Sequence, residues 1–104
     1  MLNLNHKNLD VWQLAIKLVS TIYQITSKYP KEEVFGLTSQ TRRAVVSISA
    51  NLAEGSSRKS LAERKRFYEI SRSSLVEVDN HIEVAKELGY LSDETINELN
   101  EKLN

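Results

Sequence analysis

An all-α fold, an antiparallel up-down four-helix bundle, is what this sequence predicts, and three observations predict it. Apolar residues recur at three- and four-residue intervals along most of the chain, the pattern of one face of an α-helix. The single proline, Pro30, and the three glycines, Gly36, Gly55 and Gly89, fall where that periodicity changes phase, so they punctuate helices. The stretches between them hold helices of roughly 20, 18 and 28 residues, or about 30, 27 and 42 Å, with short connections that favour antiparallel neighbours.

The first helix is expected over residues 9–29, because the ring of Pro30 restricts Tyr29 and favours a stop there. Leu9, Val11, Trp12, Leu14, Ala15, Ile16, Leu18, Val19, Ile22, Tyr23, Ile25 and Tyr29 cover more than half of its circumference. Asp10, Gln13, Lys17, Ser20 and Gln24 share a narrow wet strip. The core of one monomer does not use so wide an apolar arc, and neighbouring subunits are expected to shield the excess.

The second helix is expected to begin with Thr38 as its N-cap and to end where Gly55 takes the left-handed conformation. Leu37, Thr41, Ala44, Val45, Ile48 and Leu52 form its main apolar stripe. Val46, Ala50 and Ala53 form a second, small-residue stripe behind it, and Gln40, Arg43, Ser47, Asn51 and Glu54 a polar row between the two. A helix that is apolar on two sides is usually packed on two sides, which makes Trp12, Val46, Ala50 and Ala53 the expected subunit interface.

Ser60-Leu-Ala-Glu63 has the form of a capping box and starts a third helix, which ends near Leu88 with Gly89 as its cap. Its stripe of Phe67, Ile70, Ser71, Ser74, Leu75, Val78, Ile82 and Ala85 is of ordinary width, and Lys65, Glu69, Glu83 and Glu87 lie on its back. Ser92 then caps a short final helix, with Asp93 and Glu94 at its positive end and Ile96, Leu99 and Leu103 at helical spacing.

At 104 residues, with 40% hydrophobic and 27% charged residues, one folded domain over residues 1–104 is expected. The chain has no cysteine, which removes disulfides, thiolate metal sites and cysteine nucleophiles and fits a reducing cytoplasm. Its start lacks a charged segment followed by an apolar run, and no stretch is long and apolar enough for a membrane span. Secretion and membrane insertion are therefore not expected. Net charge is zero, yet between residues 38 and 75 eight basic residues face three acidic ones, while the rest of the chain is acidic by the same margin. Such polarity bears on partners and association.

Glu33-Val-Phe-Gly-Leu-Thr-Ser-Gln40, followed by Arg42-Arg43-Ala44, Ser47-Ile48 and Asn51-Leu-Ala-Glu-Gly55, resembles the bacterial 23S rRNA intervening-sequence proteins. Leu9, Val11-Trp12-Gln13 and Ala15 in the first helix are similar to that family, as are Arg58, Phe67, Ser74-Leu75 and Glu77 in the third. Two departures stand out: the family usually has glycine where Ser73 stands, and its last helix commonly runs longer. The resemblance implies a left-handed four-helix bundle that assembles into a ring-like homopentamer with no known catalytic activity. Some members of the family are encoded inside ribosomal RNA genes. Others resemble the accessory variability determinant of diversity-generating retroelements, whose basic pentamer binds nucleic acid and a reverse transcriptase.

Arg58, Lys59, Arg64, Lys65 and Arg66 gather at the turn joining the second and third helices, where long cationic side chains reach phosphates. In a cyclic oligomer that turn becomes a ring of charge for RNA or DNA, whereas a solvated helix start is the plainer reading. Arg43 or Arg42 is expected to pair with Glu77 of the third helix, and Asn51 and Glu54 to tie down the following turn, so that Gln40 and its row act structurally. His6 and His81 have no second ligand at helical spacing, no Glu-x-x-His pair occurs, and the serines lack a nearby histidine base. Gly55-Ser-Ser-Arg58 lacks the spacing and lysine of a phosphate-binding loop. No enzyme and no cofactor are expected. The expected function is self-association with nucleic-acid binding, or else a protein assembly factor that binds no nucleic acid.

Overall fold

A computed structural model describes residues 1–103, with side chains through Glu101. Its elements are α1 (Asp10–Thr26), α2 (Leu37–Ser57), α3 (Leu61–Glu87) and α4 (Asp93–Leu103), with 3₁₀ turns at Asn5–Asn8 and Lys31–Glu33. There is no strand among the described residues. The side chain of Leu103, expected on the apolar face of the last helix, lies outside those described.

The four helices bury one core. Ala15, Leu18 and Ile22 of α1 meet Ala44, Val45, Ile48 and Leu52 of α2, Val78 and Ile82 of α3, and Leu99 of α4. Each set follows the three-to-four spacing that keeps side chains on one helical face. A second, smaller cluster of Tyr29, Leu37 and Ala85 closes the end of the molecule at the α1–α2 connection.

Helix ends differ from the sequence expectation where side chains compete with the backbone. α1 stops at Thr26, three residues early: the Thr26 hydroxyl donates back to the Ile22 carbonyl at 2.8 Å and the Ser27 hydroxyl to Gln24 at 2.7 Å. Lys28 and Tyr29 then donate to Ile25 and Thr26 in tighter 3₁₀ fashion, and such local bonds end helices. α2 begins at Leu37, after Gly36, without the Thr38 cap. Glu33 supplies the acceptor instead, its Oε1 taking the Leu37 N–H at 3.1 Å.

Gly55 does not close α2. It is buried inside the helix, which continues to Ser57, and Gly89 is the residue with a positive φ, 82°. A Cβ at position 55 would lie 2.7 Å from Tyr68 Cε1 and 3.1 Å from Phe67 Cβ, so this glycine permits close contact between α2 and α3. Gly89 does cap α3, the N–H of Tyr90 donating back to Ala85 at 2.8 Å across the left-handed residue. Ser60 Oγ accepts from Glu63 N–H at 3.1 Å, and Ser92 Oγ from Thr95 N–H at 3.2 Å, as expected of the two caps.

Candidate nucleic-acid interface at the α2–α3 turn

The turn between α2 and α3 is three residues of helix-free backbone, Arg58 to Ser60, held from both sides. Arg58, the first residue after α2, pairs through Nη2 with Glu54 Oε2 at 3.5 Å and lies 4.8 Å from the centre of the Phe67 ring. Arg64 Nε donates to the Arg58 carbonyl at 2.6 Å, tying the first turn of α3 back over the connection. Ser57 Oγ donates to the Glu54 carbonyl at 2.7 Å and reaches Glu54 Oε2 at 3.2 Å. Glu54 thus contacts both the last residue of α2 and the first residue of the turn.

A groove of about 500 Å³ opens beside it, lined by Arg58, Lys59 and Arg64 together with Ala50, Ala53 and the N-terminal residues Leu4 to His6. Three of the five expected cations thus share one concavity. Lys65 and Arg66 do not line it, because successive helical residues turn by about 100° and fan away from Arg64. Both are exposed, as is Lys59. Arg58 and Arg64 are partly committed to the fold, and Arg58 Nε is buried without a partner.

The polar row of α2 divides. Asn51 Nδ2 donates to the Ser47 carbonyl at 2.8 Å and to Ser47 Oγ at 2.9 Å, and Ser74 Oγ donates to Ser47 Oγ at 2.9 Å. The Ser74–Ser47 bond and the Ser71 Oγ bond to the Ile48 carbonyl at 2.8 Å stitch α2 to α3, while Asn51 anchors Ser47 within α2. Asn51 serves this seam and not the following turn. Gln40, Arg43 and Glu77 are exposed.

The expected pairing of Arg42 or Arg43 with Glu77 is corrected: among the described residues the ion pairs are Arg58–Glu54 and Lys86–Asp93. Arg42 turns the other way. Its Nε donates to Thr26 Oγ1 at 2.8 Å and Nη2 to the Tyr23 carbonyl at 3.3 Å, with the guanidinium 4.4 Å from the Tyr23 ring centre. Acceptors in the last turn of α1, at the negative end of its dipole, and an aromatic face outcompete a solvated carboxylate.

The profile of the 23S rRNA-intervening sequence protein family matches residues 7–104. The chain belongs to that family. No curated protein matches it. The motif that carries the family likeness in α2 supplies both kinds of residue seen above: Arg42 and Ser47 hold helices together, with Asn51 bonded to Ser47, while Glu54 and Gly55 shape the turn on which the cations lie.

Of the residues expected at a subunit interface, Val46 and Ala50 are exposed. Ala53 is half-buried beside the N-terminal segment, and Trp12 is half-buried with its ring edge-on to His6 at a centroid distance of 4.9 Å. No bonding role was expected of Glu33, which heads the family motif, or of Tyr90. Glu33 Oε2 accepts from the Tyr90 hydroxyl at 2.8 Å while its other oxygen caps α2, and those two bonds, Leu37 N–H first, hold its carboxyl below the ordinary carboxylate value. The signal was faint: an acidic residue four positions ahead of an uncapped helix start. No cluster of three His, Cys, Asp or Glu able to hold a metal forms among the described residues. Among the described residues no helix is long and apolar enough to cross a membrane.

Proposed function

We propose that this chain is a non-catalytic, self-associating helical bundle of up-down topology that binds RNA or DNA through the α2–α3 turn. The observation that carries the reading is the groove in which Arg58, Lys59 and Arg64 converge, with Lys65 and Arg66 exposed on the adjoining face of α3. Phosphates neutralised there release counterions, so affinity depends on cations being gathered and not on net charge alone. The cyclic homopentamer implied by the family would repeat the turn once per subunit and make a continuous basic rim. A reverse transcriptase or another nucleic-acid-handling protein is the further partner that such a rim serves, in the cytoplasm.

The test uses fluorescence-labelled single-stranded and duplex RNA and DNA titrated with the protein at two salt concentrations. Affinity is expected to fall steeply with salt. The variant Lys59→Gln/Lys65→Gln/Arg66→Gln removes only exposed side chains, so it folds, binds more weakly, and loses about 0.9 from the logarithmic salt slope for each duplex phosphate contact removed.

A protein assembly factor without nucleic-acid binding is the second reading. It is favoured by Arg58 and Arg64 being tied to Glu54, Phe67 and the turn itself. Absence of binding to every polynucleotide at low salt, with self-association retained, selects it.

A further inference from the structure

We infer that the corner between α1 and α2, a site separate from the α2–α3 turn, binds a phosphoryl group. A groove of about 450 Å³ lies there, lined by Lys31, Arg42 and Arg43 and by the hydroxyl residues Thr38 and Ser39. No carboxylate is among the described residues of its wall. Glu33, the acid nearest in sequence to the start of α2, has both oxygens engaged, by Leu37 N–H and by the Tyr90 hydroxyl.

The backbone adds donors to the cations. Gly36 gives α2 no side-chain cap, and the first N–H groups of a helix have no partner within it. Glu33 takes that of Leu37, which leaves those of Thr38 and Ser39 at the positive end of a 21-residue helix. Arg42 is already oriented by Thr26 and Tyr23 through Nε and Nη2, so its remaining amino group is offered without further ordering. Arg43 is exposed beside it.

An independent sign comes from Tyr29, which is among the residues that line the same groove. Tyr29 is 8% exposed, and its hydroxyl is buried without a hydrogen-bond partner. An unpaired buried hydroxyl is destabilising, and an oxyanion is an acceptor that satisfies it. Burial pushes this phenol up to about 12, so it keeps its proton and stays a donor at every physiological pH. Three cations, two free N–H groups and a waiting hydroxyl match a dianionic phosphate monoester better than a carboxylate, which offers fewer oxygens and a single charge.

Inorganic phosphate and the phosphate of a nucleoside monophosphate share this chemistry, so both are titrated calorimetrically into the full chain, with chloride of equal ionic strength as reference. Saturable binding is expected, together with a higher melting temperature in phosphate than in chloride. Arg43→Gln should weaken binding about tenfold, the loss of one charge-assisted hydrogen bond, without altering the fold. Tyr29→Phe should weaken binding while leaving the melting temperature without ligand equal or higher, since it deletes an unsatisfied donor. Lys65→Gln, at the other turn, should leave binding intact. Tighter binding of adenosine monophosphate than of phosphate assigns the site to a nucleotide, and equal binding assigns it to the free anion. The inference falls if phosphate acts no differently from chloride, if Arg43→Gln binds like the parent, or if Lys65→Gln abolishes the binding.

Discussion

Tyr68 and Phe67 press so closely on Gly55 that a methyl group there would need the Tyr68 ring to swing outward and would still lie 3.1 Å from Phe67 Cβ. Alanine gains about 1 kcal/mol over glycine in a helix interior, but overpacking costs about 1 to 3 kcal/mol. Gly55→Ala is therefore expected to lower stability by about 1 kcal/mol, read from urea denaturation, although position 55 is helical. A melting temperature above the parent's would refute the close-contact account. Glycine at the edge of a periodic segment has two physical explanations, a left-handed turn or a neighbour with no room for a side chain, and sequence does not separate them. At Gly89 the first holds and at Gly55 the second, because only the fold brings Tyr68 to α2. Arg42 teaches the same lesson. Opposite charge pointed to Glu77, whereas the neutral acceptors Thr26 and the Tyr23 carbonyl, sixteen and nineteen residues away, hold it.

Among the elements, four helices were legible because periodicity and punctuation agree, and the caps at Ser60 and Ser92 were legible because they are local. The ends of α1 and the start of α2 were not, since hydroxyl back-bonding at Thr26 and the reach of Glu33 depend on rotamers. Glu33 links two connections, capping α2 with one oxygen and receiving the Tyr90 hydroxyl from the α3–α4 junction with the other. Its folded-state value lies below the unfolded 4.5, so this contribution to stability is complete above about 4.5 and is lost as pH falls through the lowered folded value. Glu33→Gln should melt earlier than the parent at pH 7 and more nearly with it at pH 3. An equal gap at both pH values would show that the charge on Glu33 does not matter. α4 is the short element: its 11 residues span about 16 Å against about 40 Å for the 27 of α3. Leu75 and Val76 accordingly stay exposed in a groove of about 450 Å³ that Ile96 and Leu99 bound on the α4 side.

For the molecule as a whole, the wide apolar arc of α1 has a measurable outcome in one chain, where Val11, Leu14, Ile16 and Tyr23 remain between 41% and 55% exposed. Val46, on the outer face of α2, is 42% exposed. Since no core contact is lost, Val46→Asp should keep the helical circular dichroism of the parent and shift sedimentation at micromolar concentration towards the single chain. A parent that already sediments as a single chain would end the self-association proposal. The candidate site was half legible. That cations crowd the α2–α3 turn is written in the sequence, but which of them share a concavity depends on the rotation of α3, which sets Lys65 and Arg66 apart from Arg64. No packing role was expected of the N-terminal segment, because the 3₁₀ turn Asn5–Asn8 has no apolar periodicity, yet it lies against Ala50 and Ala53 and places His6 on Trp12. Trp12 is the only indole in the chain, and indole emission responds to whatever ring packs against it, here the edge of His6. The protein consequently carries its own optical gauge: one emission level while the arm is seated on the indole, and another once the arm lifts away.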